Sequence, residues 1–394
     1  MRFRTVRSGR TTLCLCVLLC AGIAFCAQTS AAQVTLAIRG AKVYPISGPP
    51  IERGVLLVAN GKIVAVGEEG KIKIPRGATI EDAAGKVVMP GIVDSHSHIG
   101  IITNPMAEDS GDANESTGPI QPGLRALDAI DPADPNIRMA TAGGVTTANI
   151  MPGSGNVIDT YGKKDKAPAT RMKTAEIIRH ALADAKAYEE KSDKWKKEGS
   201  DISKQPSRDM KLEALLPVVD GKLPAIFNAY RADDIDTAIR IGNEFHLRYM
   251  LASVTEGYLI SDTIQRAGVP CLLGPVMQRF ESLETANATF ENPAILKRAG
   301  IPIALMTGLE EYVPKNRILL FEAGIAAANG LGMEGALRAA TADAAKILAI
   351  DDRVGSLAPG KDADVVLFDG DPFEYTSHVL AVLVGGQVSY QRSK

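Results

Sequence analysis

The second half of the chain alternates between two patterns, and this alternation constrains the fold more than any other feature. Short runs of branched aliphatic residues predict strands, and runs with apolar residues three and four apart predict helices between them. Arg-Ala-Gly-Val-Pro at 266–270 recurs as Arg-Ala-Gly-Ile-Pro at 298–302; each copy is typical of a helix end with a glycine stop before a strand. Strands that alternate with helices form a parallel sheet, and this many units favour a (β/α) TIM-type barrel. The predicted strands of this half are 225–229, 247–253, 269–273 and 301–306.

Two more strands are predicted upstream, in the run that Ile92 opens and at 143–151, which makes six where a complete barrel has eight. The missing pair would fall between Asn156 and Leu223. There the sequence predicts a helix from Thr170 to about Trp195 and a charged loop at 191–205. We therefore expect an α/β fold with a TIM-type barrel that could lack one or two strands.

Both ends of the chain have a β pattern. Asn60-Gly61 lies between two strand-like runs and supplies the positive φ angles of a type I′ hairpin, and Gly385-Gly386 is a second hairpin signal. We predict a small β-sandwich domain built from residues 33–89 and 351–394, with the barrel at 90–350 inserted between them.

The first 32 residues have the pattern of a secretory signal peptide. Four arginines lie among the first ten residues, an apolar run at 12–27 is short for a membrane span, and small residues precede a cleavage point after Ala32. This pattern predicts export to the periplasm or the extracellular space. The alternative is an uncleaved anchor, which is the one case in which a membrane partner is expected. Without these residues the chain keeps one cysteine, Cys271, in an apolar run that favours a buried, inert thiol.

The overall composition argues against a nucleic-acid partner. The 394 residues are 45% hydrophobic and 23% charged, with a formal net charge of −2. These values are ordinary for a globular protein with a large core and give no electrostatic reason to bind an anionic polymer. A small-molecule substrate or ligand is the expected partner, and an oligomer is possible.

A histidine pair follows the turn Pro90-Gly91. Side chains alternate along a strand, so Asp94, His96 and His98 share one face. Two neutral imidazoles at i and i+2 can share a divalent ion such as zinc. The apolar residues before them favour a site at the carboxyl end of a buried parallel strand, where barrel enzymes carry their chemistry. The simpler alternative is a pair of polar residues on an exposed strand.

Three stretches together resemble the metal-dependent amidohydrolase superfamily, most closely its imidazolonepropionase-like branch. They are Lys-Val-Val-Met-Pro-Gly-Ile-Val-Asp-Ser-His-Ser-His at 86–98, the stretch from Gly-Gly-Val-Thr-Thr to Met-Pro-Gly-Ser-Gly-Asn at 143–156, and the stretch 344–372 with Gly-Ser-Leu-Ala-Pro-Gly-Lys-Asp-Ala-Asp-Val-Val-Leu-Phe. The resemblance implies a barrel inserted in a β-sandwich, and a divalent metal ion that activates water to hydrolyse a non-peptide carbon–nitrogen bond. Zinc is the first expectation for the metal.

Several positions depart from that family. Asn228 and Tyr230 stand where a middle strand should end in histidine, and Ser253 stands where a second histidine should precede Thr-Glu-Gly-Tyr. The last barrel strand should end in aspartate, but the chain reads Ala-Leu-Met-Thr-Gly at 304–308. His96 and His98 therefore remain as the metal ligands that the resemblance carries over, and Asn228, Tyr230 and Ser253 are candidate substrate contacts. No catalytic residue is assigned.

Two classes of function stay open. The first is a metal-dependent amidohydrolase with an altered site, in which Asp94, Glu310 or Glu311 helps the histidine pair. The second is a catalytically impaired pseudoenzyme or a small-molecule-binding barrel, because catalytic zinc normally has three protein ligands. A poorly stable remnant of a longer gene is a third interpretation.

Overall fold

The computed structural model describes the chain in five stretches, all of them inside one unit that spans Val34–Lys394. These stretches are 35–102, 118–152, 167–277, 282–308 and 315–393. The predicted signal peptide at 1–32, together with Glu310 and Glu311, lies outside the described residues. Within the described stretches, no helix is both long enough and apolar enough for a membrane span.

The described residues form strands and helices in the following chain order. The strands are β1 Leu36–Val43, β2 Ile51–Ala59, β3 Lys62–Glu68, β4 Thr79–Asp82, β5 Val87–Pro90, β6 Ile92–Ser97, β7 Val145–Ile150, β8 Ala225–Ala229, β9 Tyr249–Ser253, β10 Cys271–Leu273, β11 Ile303–Leu305, β12 Val365–Phe368, β13 Val379–Val384 and β14 Gln387–Gln391. The helices are α1 Pro135–Ala142, α2 Arg171–Lys197, α3 Met210–Val219, α4 Ala232–Glu244, α5 Ser261–Ala267, α6 Asn292–Arg298, α7 Leu319–Ala326, α8 Gly332–Ala339 and α9 Ala342–Ile347. Shorter helical turns lie at Ala126–Asp128, Ile202–Lys204, Gly257–Ile260, Lys315–Ile318 and Ala327–Leu331.

Strands from both chain ends form one sheet, with the order β14-β13-β12-β5-β1-β2-β3 and β4 beside β1. Both predicted hairpins are confirmed. Asn60 and Gly61 have φ angles of 50° and 75° between β2 and β3, and Gly385 and Gly386 have φ angles of 54° and 76° between β13 and β14. The mirror-image turn twists the same way as its strands, which explains why these dipeptides close two-residue loops.

The six predicted barrel strands are all present. β6 and β7 pair in parallel, and β8, β9, β10 and β11 form a parallel four-stranded sheet. β6 lies beside β11, because Ser95 Oγ donates to Leu305 O at 2.7 Å and Gly308 N donates to His96 O at 3.2 Å. Among the described residues β7 and β8 have no ladder pair, so the ring of strands is not closed on that side.

The segment between β7 and β8 differs in part from the sequence-based prediction. Between Asn156 and Leu223 the described residues hold α2 and α3 and no strand. The predicted loop at 191–205 is wrong over its first residues, since α2 continues to Lys197. Its last turn carries Lys194, Lys196 and Lys197, and basic side chains interact favourably with the carboxyl end of a helix.

Side chains of the parallel strands form much of a buried core cluster, and Leu272 at the centre of β10 is fully buried in it. Leu272→Ala is expected to lower the free energy of unfolding by about 2–5 kcal/mol, because the lost transfer free energy adds to that of a cavity. Leu259→Ala, at a leucine that is 56% exposed, serves as the control and should change it by less than about 0.5 kcal/mol. Urea unfolding at neutral pH measures both values, and equal effects would contradict this assignment of the core.

Candidate metal centre

β6 carries the histidine pair to the edge of the strands where their carboxyl ends lie. Ile92 and Val93 are fully buried, and the backbone before them passes so close to β7 that a Cβ at Gly91 would collide with the Thr146 side chain. His96 and His98 are 8% and 6% exposed. The alternative of an exposed polar strand is therefore wrong for this pair.

The two imidazole rings lie close together in an edge-to-face arrangement. Their centroids are 5.1 Å apart and their planes make an angle of 67°. His98 Nδ1 lies 2.7 Å from Met151 O. A carbonyl oxygen can only accept, so Nδ1 of His98 carries the proton and Nε2 keeps its lone pair. A backbone carbonyl on one ring nitrogen is the usual way to orient a histidine that binds a metal through the other.

His96 is buried without a hydrogen-bond partner on either ring nitrogen among the described residues. A buried polar group left unpaired costs about 1–3 kcal/mol, so native proteins rarely keep one without a reason. The ring lies beside His98, and the lone pair of one of its nitrogens is available to a ligand. This orphaned imidazole suits a metal ion at the edge of the barrel.

Burial keeps both imidazoles neutral at physiological pH. Desolvation, helped by the neighbouring His98, lowers the pKa of His96 from 6.5 to about 4. The pKa of His98 is also lowered by burial, although its hydrogen bond to Met151 O partly opposes the shift. The neutral form carries the lone pair that a metal requires.

The low pKa of His96 predicts a pH dependence for the metal-free protein. The pKa is about 4 in the folded chain and 6.5 in the unfolded chain, so between these values the unfolded state binds more protons. The contribution of neutral His96 to the free energy of unfolding is therefore complete above pH 6.5 and is lost as the pH falls towards 4. We expect the free energy of unfolding to drop by about 2 kcal/mol from pH 7 to pH 5 through His96 alone. Urea unfolding at both pH values measures this drop, and it should be much smaller in His96→Gln; an unchanged slope in that variant would contradict the assignment.

Asp94 is fully buried and ties β6 to the chain that leaves β11. Its carboxyl group accepts hydrogen bonds from Thr307 N at 3.1 Å, from the Thr307 hydroxyl, and from His96 N at 3.4 Å. Thr307 lies two residues after β11, in the stretch 304–308 where the resemblance predicts an aspartate at the end of the last strand. Since these bonds engage both of its oxygens, Asp94 holds the backbone of the histidine pair in place.

The loop after the histidines is held by a second buried acid. Asp134 is the N-cap of α1, accepting from Asn136 N at 2.9 Å, and it also accepts from Gly100 N at 2.9 Å. Gly100 has a φ of 81°, a conformation that favours glycine. Asp134 therefore fixes the turn that follows His98.

The structure brings two of the three predicted substrate contacts together. Ser253 Oγ donates to Asn228 Oδ1 at 2.6 Å; Ser253 is 6% exposed and Asn228 is exposed. Tyr230 is half-buried, and its carbonyl accepts from Glu256 N at 2.8 Å. Asn228 and Ser253 lie at the carboxyl ends of β8 and β9, and Tyr230 directly follows β8.

In the described part of the chain, no group of three or more His, Cys, Asp and Glu side chains could hold a metal ion. Cys271 is fully buried, so the predicted burial of this thiol is confirmed, and burial raises the pKa of the thiol to about 12. One polar residue near Ser253 was missed from the sequence. Asn292, at the start of α6, is 6% exposed and leaves Oδ1 unpaired among the described residues. An asparagine before a proline suggests only a helix start, so no sequence signal marked it.

Comparison with known proteins places this architecture among amidohydrolases. The Amidohydrolase family profile matches residues 254–390. The crystal structure of an amidohydrolase from Thermotoga maritima MSB8 superposes with a TM-score of 0.84 and 36% identity over 91% of this chain and 100% of that one. An imidazolonepropionase from Stenotrophomonas maltophilia (strain R551-3) is 25% identical over 364 residues, which cover 82% of this chain and 87% of the relative. Amidohydrolase tasK from Hapsidospora irregularis is 24% identical over 400 residues; the match covers 86% of this chain but only 39% of that longer protein.

Proposed function

Because the chain belongs to the amidohydrolase superfamily, in its imidazolonepropionase-like branch, we propose that it is a hydrolase of a non-peptide carbon–nitrogen bond in a small cyclic or linear amide. Its barrel-type fold with a sheet domain agrees with that family. Among the described residues β7 and β8 do not pair with each other, which supports a barrel that lacks the third and fourth of eight units. The domains we propose are the barrel at 90–350 and the β domain at 33–89 and 351–394.

The unpaired His96 imidazole is the observation that carries the proposal. Both of its nitrogens are buried beside a second neutral imidazole whose tautomer is set by Met151 O. A divalent ion, zinc by first expectation, would be held by His96 and by His98 Nε2. Bound there, the ion would lower the pKa of a bound water to about 7 and polarise the carbonyl of the amide.

Residues at the end of β11 fix the position of the histidine pair. Gly308 N holds His96 O, and Asp94 joins Thr307 to the His96 backbone, so β6 cannot shift without breaking bonds to the end of β11. Ser253 and Asn228 lie one hydrogen bond apart at the ends of β9 and β8, where they and Tyr230 would contact the substrate.

Metal content and activity test the proposal together. Purified protein should contain a divalent metal and should hydrolyse one or more members of an amide and lactam panel; a chelator should remove both properties, and added zinc should restore both. Protein that holds no metal after loading with zinc, manganese or iron would refute it.

A second candidate is a barrel that binds a small molecule without turnover. It is favoured by the lack of a three-ligand group among the described residues and by the absence of aspartate from the stretch 304–308 that contains and follows the end of β11. It predicts stoichiometric metal or ligand binding with no chelator-sensitive hydrolysis on the same panel. Hydrolysis that a chelator abolishes would eliminate it.

We further propose that residues 1–32 direct export. The arginine-rich start, the short apolar run and the small residues before Gln33 support it. N-terminal sequencing of protein from the culture medium or periplasm should begin at Gln33. An intact N-terminus in a cytoplasmic fraction would contradict export.

A further inference from the structure

A small cavity lies beside the carboxyl ends of β9 and β10, at the edge of the barrel that also carries the histidine pair. Ser253 ends β9, Leu273 ends β10, and both line the cavity together with Thr289 and Asn292. Its volume is about 20 Å³, and one water molecule needs at least about 10–15 Å³ on this scale. The cavity therefore admits one end of a small molecule and not a whole substrate.

Asn292 lines this cavity and has a buried acceptor that is unpaired among the described residues. Its Nδ2 donates to Val254 O at 2.9 Å, and a carbonyl oxygen can only accept, so this contact fixes which end of the amide is nitrogen. Oδ1 is then the remaining end, fully buried and without a partner among the described residues. A buried acceptor of this kind is satisfied by a donor from a ligand.

The other polar groups around the cavity are neutral. Ser253 Oγ uses its proton towards Asn228, so the same oxygen can accept. Thr289 Oγ1 accepts from Glu291 N at 3.4 Å and can turn its own proton towards a carbonyl oxygen. None of the described residues that line the cavity is charged. Because a buried ammonium requires a paired acid, these surroundings favour an uncharged donor.

We propose that this cavity receives an amide or lactam N–H of the substrate and that Asn292 is the specificity-determining residue that accepts its hydrogen bond. The assignment rests on the proposed function, since it names the part of the substrate that lies beside the scissile carbonyl. A site built to accept an N–H rejects an isostere without one, because the acceptor is then left unpaired.

A comparison of acetamide and acetone binding tests the proposal directly. The two molecules have nearly the same shape, but acetamide has an NH₂ group where acetone has a methyl group. In NMR titrations of the metal-free protein, acetamide should bind at least about tenfold more tightly than acetone. A crystal soaked in acetamide should place its nitrogen within hydrogen-bond distance of Asn292 Oδ1. Asn292→Ala should reduce the preference to less than about twofold.

A second variant distinguishes an effect on the cavity from an effect on folding. Ala288 lines the cavity and is exposed, so Ala288→Leu should fill the cavity without disturbing the bond from Asn292 to Val254. It should weaken acetamide binding at least about tenfold at an unchanged melting temperature and metal content. Equal affinities for acetamide and acetone, or acetamide binding that survives Ala288→Leu, would overturn the proposal.

The two proposals can fail separately. His96→Ala should bind metal more than about 100-fold more weakly and keep the preference for acetamide, because Asn292 does not depend on the ion. Metal binding without an acetamide preference would refute the cavity assignment alone. An acetamide preference in protein that cannot be loaded with metal would refute the proposed hydrolase and leave the cavity assignment standing.

Discussion

Replacing His96 with alanine is expected to weaken zinc binding by more than about 100-fold, since even the loss of a group that only supports a ligand costs 10–100-fold. The imidazole is 8% exposed and has no competing hydrogen bond among the described residues, so its lone pair is available to the ion. Replacing His98 should have a similar effect. Competition with a coloured zinc chelator measures the dissociation constants.

His180 provides the matched control. It lies on α2, is exposed, and is 3.8 Å from Glu176, so His180→Ala should leave zinc affinity within about twofold of the original. Zinc affinity that falls equally in His180→Ala and His96→Ala would mean that the ion binds to surface histidines, and the proposed site would be wrong.

A second prediction concerns the effect of His96 on the stability of the metal-free protein. Here a replacement is expected to be favourable. His96→Leu removes two unpaired buried nitrogens and fills a similar volume, so the metal-free variant should be more stable by about 1–2 kcal/mol. This is the behaviour of a residue that serves ligand binding and lowers the stability of the ligand-free protein. A large loss of stability in metal-free His96→Leu would imply that the imidazole is engaged within the fold.

Replacing Asp94 with alanine is expected to lower the free energy of unfolding by about 3 kcal/mol, because a buried acceptor of several hydrogen bonds is lost and its donors remain buried. Thr307 N and the Thr307 hydroxyl both donate to this fully buried carboxyl group, 213 residues away in the chain. Since β6 and β11 meet here without a regular ladder, the contact supports the edge of the barrel under the histidine pair.

A double-mutant cycle with Thr307→Val isolates the Asp94–Thr307 contact. Asp94→Ala and Thr307→Val should be strongly non-additive in urea unfolding, by about 1 kcal/mol or more. Asp236→Ala, at a half-exposed acid paired with Arg240 on α4, is the control and should cost less than about 1 kcal/mol. Additive effects of the Asp94 and Thr307 replacements would show that the contact does not stabilise the fold.

Local patterns account for the features that the sequence predicted correctly. Asn60-Gly61 and Gly385-Gly386 close hairpins because positive φ angles are required over two residues. His96 in β6 and His98 directly after it lie close together because the two-residue period of an extended chain puts both on one face, and their rings are 5.1 Å apart. Strand identity in the barrel followed from short apolar runs between helical patterns.

The remaining features depend on contacts between distant parts of the chain. Met151 O meets His98 across 53 residues, and Thr307 meets Asp94 across 213, so both depend on how parallel strands pair. The unpaired Oδ1 of Asn292 arises because Nδ2 reaches Val254 O in a loop 38 residues earlier. No periodicity in a single sequence encodes these pairings, since they depend on strand register and on the path of each loop.

X-ray absorption spectroscopy of the zinc-loaded protein tests the central claim most directly. A zinc ion held by His96 and His98 predicts two imidazole nitrogens at about 2.0–2.1 Å, and one of the two should be lost from the spectrum of His96→Ala. A zinc spectrum without imidazole scattering, or one that is unchanged in His96→Ala, would contradict the account.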